Sequence, residues 1–166
     1  MNNKFTIRVY VVDLAAYSNG LLRGEWITLP TTKEELGEVL RFTTNGGEND
    51  YAIHGYEAPF AIGEYTSLTK LNDIMEVLSN KFEGVDHDII QALADKLDNN
   101  EELVDVEYIV YYADDLIDLG YELVESNGLD IPHDVESYFD YEWYARDMVL
   151  NGNFVEGNGF YVEIIG

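Results

Sequence analysis

The 166-residue chain contains no cysteine, which excludes disulfide bonds and thiolate metal sites. No apolar run approaches the roughly 18 residues that a membrane-spanning helix needs. The N-terminal stretch MNNKFTIRVYVV has neither the long apolar core nor the small-residue cleavage pattern of a signal peptide. We therefore expect a soluble, cytoplasmic protein with no membrane partner.

Cations are scarce as well. Lys and Arg number 9 against 33 Asp and Glu, which gives a formal net charge of −24 and a pI near 4.1. Because proteins that bind nucleic acid or anionic membranes are normally basic, we expect no direct contact with either. Hydrophobic residues nevertheless make up 46% of the chain, with 13 Tyr, 7 Phe and 2 Trp. This composition predicts a folded protein, since disordered acidic segments lack the apolar content that offsets the entropy cost of ordering.

Signatures of catalysis are also missing. His54, His87 and His133 lie far apart in the chain, and no serine stands in a GxSxG motif. The stretch DNNEELVDVEYI begins like an EF-hand loop, but Leu103 occupies the position of the turn glycine and Ile109 that of the closing glutamate. We therefore predict that the protein is not an enzyme and has no metal site and no cofactor.

The pattern of apolar residues predicts the α+β fold class. Residues 1–61 contain three strand-like segments and a helix that starts after Thr32, which has capping-box spacing with Glu35. Residues 62–103 have apolar residues at three- and four-residue steps, typical of two helices. Residues 104–166 combine a strand, an acidic helix, two shorter helices and a closing hairpin around Gly-Asn-Gly. These sections are predicted to be three small domains: mixed α/β, helical, and acidic α+β with a short antiparallel sheet.

Negative charge is concentrated towards the C-terminus, where residues 97–166 hold 18 acidic residues and a single cation, Arg146. Residues 111–126, YYADDLIDLGYELVES, have the apolar spacing of an amphipathic helix. On a helical wheel one arc of roughly 80° holds four carboxylates, with Asp115 just beside it: Asp114, Asp118, Glu122 and Glu125. The opposite face holds the apolar side chains Leu116, Ile117, Leu119, Leu123 and Val124. Like charges three or four residues apart destabilise a helix by roughly 0.2–0.5 kcal/mol per pair, so this arrangement is expected to have a function.

The charge density suggests what that function is. Duplex DNA carries one negative charge per about 1.7 Å of its axis, so the net charge corresponds to about 41 Å, or roughly twelve base pairs. A dimer would correspond to about 24 base pairs, and such a surface can compete for a basic DNA-binding groove. Two other interpretations remain open, namely a solvated face that maintains solubility and halophilic adaptation. The concentration of the charge in the last 70 residues argues against the second.

A short apolar patch separates the predicted strand from the acidic helix. Tyr111, Tyr112 and Ala113 form it, and an aromatic patch on a highly charged protein is a candidate subunit interface. We predict that these three residues form a homodimer interface. Arg146 is predicted to pair with Glu142 or Asp147 and so to have a structural role.

Several segments together resemble the ArdA family of antirestriction proteins, which mobile genetic elements carry. They are GEWITLP, YAIHGYEAPF, EYTSLTKLN, and YFDYEWYARDMVLNGNF with the closing hairpin, in the order of the family and spread over nearly the whole chain. Gly55 and Ala145 depart from the family pattern, in which an acidic residue and a glycine are usual.

The resemblance implies a DNA mimic that occupies the DNA-binding groove in the methyltransferase core of type I restriction–modification enzymes. It also implies an elongated chain of three domains that forms a homodimer through the C-terminal domain. The residues that would replace phosphates are Asp114, Asp115, Asp118, Glu122 and Glu125. Six further carboxylates would extend this surface: Asp130, Asp134, Glu136, Asp140, Glu142 and Asp147. These eleven residues are named the predicted acidic surface.

Two rival classes of function remain at this point. An acidic adaptor or chaperone would bind a basic protein unrelated to DNA, and competition with duplex DNA would distinguish it from a mimic. A hydrolase that uses two carboxylates would need a deep pocket in which their pKa values are raised.

Overall fold

A computed structural model describes residues 4–21, 23–44 and 50–165. The described residues form six strands and eight helices. In chain order the elements are β1 Ile7–Asp13, α1 Leu14–Ser18, β2 Gly24–Leu29, α2 Lys33–Thr43, β3 Tyr51–Glu57, α3 Leu68–Lys81, α4 His87–Lys96, α5 Glu102–Asp105, β4 Tyr108–Tyr111, α6 Leu116–Ser126, α7 His133–Glu136, α8 Tyr141–Asn151, β5 Phe154–Glu156 and β6 Tyr161–Ile164. This mixture of helices with two small antiparallel sheets confirms the predicted α+β class.

The chain divides into two compact units. One, named the N-terminal unit, comprises residues 1–86 and 99–104; the other, named the acidic unit, comprises residues 87–98 and 105–166. The N-terminal unit has 15 acidic and 7 basic residues, a net charge of −8, whereas the acidic unit has 18 and 2, a net charge of −16. The helices predicted for residues 62–103 fall into both units, and the three-domain division stays a prediction.

The N-terminal unit is organised around β1, which pairs antiparallel with β2 on one side and β3 on the other. Its alternate residues Ile7, Val9 and Val11 are buried, as the strand period of two requires. Thr32 caps α2 by accepting a hydrogen bond from the Glu35 amide, which confirms the predicted helix start. The sheet and α2 and α3 therefore follow directly from the local sequence patterns.

The acidic unit contains the second sheet, in which β6 lies between β4 and β5 and pairs antiparallel with both. Helix α4 packs on β5 and β6, and α6 packs on α8. The buried side chains that join the sheet to α6 and α8 are Tyr111, Ala113, Leu119, Leu123, Ala145, Phe154 and Tyr161. This core fixes the orientation of α6, the helix with the predicted row of carboxylates.

Helices α6 and α8 approach each other closely at Gly120. A Cβ atom at this position would lie 2.7 Å from the carbonyl carbon of Tyr141 and closer still to its oxygen. Backbone atoms cannot move aside as the end of a flexible side chain can, so only glycine allows this approach.

The predicted acidic helix is shorter in the structure than in the sequence pattern. It begins at Leu116 rather than at residue 111, because Tyr111 belongs to β4 and residues 112–115 form the turn between strand and helix. Asp115 has extended backbone angles and its side chain accepts a hydrogen bond from the Asp118 amide at 2.9 Å, so it is the N-cap. The helical-wheel positions therefore apply to Asp118, Glu122 and Glu125 and are wrong for Asp114 and Asp115.

Candidate partner-binding surface

Helix α6 separates its apolar and acidic side chains much as the sequence predicts. Leu119 and Leu123 are completely buried, whereas Asp118, Glu122 and Glu125 are exposed. Ile117 differs from the prediction, since it is 45% exposed rather than packed into the core. The solvent-exposed surface of the helix therefore also carries an apolar side chain.

The predicted acidic surface is open to solvent almost throughout. Ten of its eleven carboxylates are exposed, and Glu142 is partly buried. Oε1 of Glu142 lies 2.8 Å from Nη2 of Arg146, which confirms the predicted structural pairing of that cation. Arg146 therefore offsets the charge of Glu142, a residue of the same helix, α8.

An open pocket of about 350 Å³ lies at the N-terminal half of α6. It brings together three predicted carboxylates and two tyrosines: Asp114, Asp118, Glu122, Tyr112 and Tyr121. The ring of Tyr121 stacks on that of Tyr141, with centroids 4.0 Å apart. The pocket thus combines negative charge with an aromatic wall that a second ring holds in place.

A second open pocket, of about 330 Å³, lies on the other side of Asp114. Here the fold brings Glu142 of α8 next to Asp114 and Asp115, which are distant from it in sequence. Two residues that the sequence analysis did not select also line it, Glu156 of β5 and Tyr161 of β6. The hairpin pattern could have indicated that this strand pair meets the helices, but not that Glu156 faces the carboxylates.

A third open pocket, of about 380 Å³, has three aromatic side chains among the seven residues that line it. Its lining includes Ile117, Tyr138, Phe139, Asp140, Tyr141 and Glu142. The remaining members of the predicted acidic surface, Glu125, Asp130, Asp134, Glu136 and Asp147, line none of these three pockets. They lie on exposed helix and loop positions instead.

The three residues predicted for the dimer interface lie in different environments. Tyr111 and Ala113 belong to the buried core of the acidic unit. Tyr112, between them, is 72% exposed. Of the three residues, only Tyr112 is therefore accessible to a second copy of the chain. The homodimer interface stays a prediction.

Two core tyrosines donate hydrogen bonds to carboxylates of the sheet. The Tyr111 hydroxyl donates to Glu163 Oε1 at 3.2 Å, and the Tyr161 hydroxyl to Glu156 Oε1 at 3.4 Å. Burial raises the pKa of both tyrosines, and the neighbouring carboxylates raise these pKa values further. Both hydroxyls are therefore neutral donors at neutral pH, and they orient carboxylates without adding charge.

Within residues 4–21, 23–44 and 50–165, no group of three or more Asp, Glu or His side chains is placed to hold a metal ion. No helix in the same described ranges has the length and apolar character needed to cross a membrane.

Comparison with models of protein families identifies a match. The model of the antirestriction protein (ArdA) family matches residues 9–163, which extends from β1 to β6 and includes the whole predicted acidic surface. A search of curated proteins found no match to the chain.

Proposed function

The chain belongs to the ArdA family of antirestriction proteins, and from this membership we propose that it is a DNA mimic that occupies the DNA-binding groove of type I restriction–modification enzymes. The family match confirms the resemblance seen in the sequence. It also implies an antirestriction function and an interaction with restriction–modification enzymes. The family consists of inhibitor proteins rather than enzymes.

The observation that carries the proposal is the exposed and nearly unneutralised charge of the acidic unit. Its 18 acidic residues are accompanied by two cations. Carboxylates four residues apart on α6, such as Asp118 and Glu122, are separated by about 6 Å along the helix axis. A basic groove that binds the phosphates of duplex DNA offers cations over a comparable surface, so the two are complementary in charge.

The proposed phosphate replacements are Asp114, Asp115, Asp118, Glu122 and Glu125, and the other six members of the predicted acidic surface extend the contact. Affinity then comes from many modest contacts between opposite charges, since single exposed ion pairs contribute only about 0.2–1 kcal/mol. Steering of the acidic protein towards the basic groove speeds the encounter. Asp118→Asn alone is expected to weaken inhibition by no more than about fivefold. Complete loss of inhibition in that variant would contradict a distributed contact.

We include a homodimer in the proposal. A single chain has the charge of roughly twelve base pairs of DNA, and two chains have that of about 24. Tyr112 supports an interface in the acidic unit because its aromatic ring is 72% exposed, and aromatic side chains are enriched in the buried centres of interfaces. Tyr112→Asp, with Tyr65→Asp as the control in the N-terminal unit, tests this by sedimentation.

The proposed mechanism is tested by competition. A purified type I methyltransferase is bound to its fluorescent target duplex, and the protein is added over a series of salt concentrations. Displacement of the duplex near one dimer per enzyme, weakening steeply as salt rises, is the expected result. If the duplex stays bound at every salt concentration, the groove is not the site, and an acidic adaptor for a basic protein becomes the better explanation of the charge.

A further inference from the structure

The aromatic pocket of about 380 Å³ lies beside the carboxylates of α6 rather than among them. Ile117 and Glu142 line it and also line the neighbouring pocket that holds Asp114 and Asp115. The pocket is therefore continuous with the predicted acidic surface, and it adds three rings to it, those of Tyr138, Phe139 and Tyr141.

Part of this wall is held rigidly by ring contacts. Phe139 meets Tyr141 edge to face, with centroids 4.8 Å apart and an interplanar angle of 72°. Tyr141 in turn stacks on Tyr121 of α6 at 4.0 Å. These contacts connect the pocket to both α6 and α8, so its base is formed before any partner binds.

Tyr138 forms the outer side of the pocket and is 85% exposed. Its backbone is fixed by a turn in which the Tyr138 amide donates to the Val135 carbonyl at 2.9 Å. Water hydrates an exposed aromatic ring less favourably than it hydrates a polar side chain, and this ring is not buried in the free protein. It gains that burial when a partner covers it.

Two carboxylates border the rings. Asp140 caps α8 by accepting a hydrogen bond from the Trp143 amide through Oδ1 at 2.9 Å, and a carboxylate can accept from several donors at once. Glu142 already holds one guanidinium, that of Arg146. Flat rings beside acceptor oxygens form an environment that suits a planar cation with several N–H donors.

We propose that this pocket binds an arginine side chain of the partner protein, with the guanidinium against Tyr138 and Tyr141 and its N–H groups directed to Asp140. The inference rests on the proposed function for the identity of the partner. Arginine fits better than lysine because the guanidinium is flat and weakly hydrated, whereas an ammonium is compact and strongly hydrated. The net charge of −16 on the acidic unit favours a cation over a neutral apolar anchor.

The proposed pocket differs from phosphate replacement in its chemistry. Phosphates along DNA offer charge and hydrogen-bond acceptors but no aromatic face for a guanidinium. The protein would therefore hold one arginine of the groove by a contact that the DNA backbone does not provide. The contribution of the Tyr138 ring should depend little on salt, because the ring carries no net charge, whereas the contribution of the Asp140 carboxylate should fall as salt rises.

The first experiment needs no enzyme, so it does not depend on the proposed function. Ethylguanidinium chloride is titrated into the full-length protein, and the ring signals of Tyr138, Tyr141 and Tyr65 are followed by NMR. Ethylurea, which is planar and similar in shape but uncharged, is the matched control. We expect shifts at Tyr138 and Tyr141 several-fold larger with ethylguanidinium than with ethylurea, and no such difference at Tyr65. Equal shifts with both compounds, or equal shifts at all three tyrosines, would overturn the guanidinium site.

The second experiment uses the competition assay with the methyltransferase. Tyr138→Ala is expected to weaken displacement of DNA by about 3- to 30-fold, by a similar factor at each salt concentration. Tyr138→Phe should act like the unchanged protein, since it keeps the ring, and so should Tyr65→Ala, which removes a 75% exposed ring from the N-terminal unit. Displacement by Tyr138→Ala equal to that of the unchanged protein overturns the pocket while leaving DNA mimicry intact. Failure of the unchanged protein to displace DNA overturns the proposed function instead.

Discussion

The two units are built alike and charged differently. Each has a three-stranded antiparallel sheet, and in each a helix near the sheet is capped by a side-chain oxygen: Thr32 on α2 and Asp115 on α6. Their net charges are −8 and −16, although the acidic unit is the smaller. The apolar pattern thus determines the fold, while the exposed positions vary independently in charge.

The cations of both units make contacts within their own unit. In the N-terminal unit they make contacts that stabilise the unit itself: Arg8 pairs with Glu57 at 3.1 Å, and Arg23 donates to the Phe42 carbonyl at 2.7 Å. In the acidic unit Arg146 pairs with Glu142, and most other carboxylates lie on exposed positions. The N-terminal unit has seven cations for 15 acidic residues, whereas the acidic unit has two for 18, so much less of its charge can be balanced internally.

The largest effect is expected where the packing of the acidic unit is broken. Gly120→Ala would place a Cβ atom against the backbone of Tyr141, which forces α6 and α8 apart. Overpacking of this kind should lower the free energy of unfolding by about 3 kcal/mol, measured by urea denaturation followed by circular dichroism.

Gly37 of α2 provides the matched control. A Cβ atom there would lie 3.7 Å from Nη2 of Arg41, an ordinary contact with a flexible side chain. Gly37→Ala should therefore stabilise the N-terminal unit by up to about 1 kcal/mol through helix propensity. If both variants unfold at the urea concentration of the unchanged protein, the close helix approach is wrong.

The second prediction reduces the charge difference between the units. The triple variant Asp118→Asn, Glu122→Gln, Glu125→Gln should weaken competition with DNA about tenfold at low salt and less at high salt. It should also raise the free energy of unfolding by roughly 0.5 kcal/mol, because it removes like-charged pairs on α6.

A triple variant of the N-terminal unit is the control for this change. Glu38→Gln, Asp73→Asn and Glu76→Gln remove the same charge from exposed positions on α2 and α3. Competition should change less than about twofold. Equal losses in the two triple variants would show that total charge matters and its location does not.

The third prediction separates the two roles of Asp115. Asp115→Ala removes the N-cap of α6 and should lower the free energy of unfolding by about 1 kcal/mol. Asp115→Asn removes the charge but keeps an oxygen that can cap the helix, so stability should change little. A fall in stability of the same size in both variants would indicate that the charge, rather than the cap, stabilises α6.

The smallest effect is expected at alkaline pH. Burial, together with the charge of Glu163, raises the pKa of Tyr111 in the folded state above its value of about 10 in the unfolded chain. The associated stability is complete below pH 10 and is lost as the pH rises through the folded pKa. In Tyr111→Phe the decline in stability between pH 9 and 11 should be shallower, measured as the shift of the thermal midpoint. Tyr65→Phe, at an exposed position, should decline like the unchanged protein.

Local sequence patterns predict most of the elements because the signals are themselves local. The capping spacing of Thr32 with Glu35 and the alternation in β1 each involve only a few neighbouring residues. The start of α6 was missed because Tyr111, Tyr112 and Ala113 fit a helical period as well as a strand, and pairing with β6 decides between them. The pairing of β4 with β6 is a contact between residues some fifty positions apart, which periodicity cannot show.

The candidate surface, like the fold, could be predicted from the sequence only in part. Charge and exposure of Asp118, Glu122 and Glu125 follow from composition and helical spacing, because carboxylates seldom lie in a core. The approach of Glu142 and Glu156 to Asp114 depends on how the hairpin and α8 meet α6, and it required the structure. The aromatic pocket was missed for the same reason, since Phe139 and Tyr141 appear in sequence as ordinary core residues.

The C-terminal end of α6 has a consequence for binding. Helices α2, α3 and α4 carry a basic residue in the last turn, Arg41, Lys81 and Lys96, where it offsets the partial negative charge of the helix macrodipole. Helix α6 has Glu125 in that turn and no basic residue. In the proposed complex the cations of the groove would offset the partial negative charge at this helix end and would also pair with the carboxylates of the helix. Part of the affinity would then come from relieving the repulsion between Glu125 and the negative end of the helix macrodipole, which is present in the free protein.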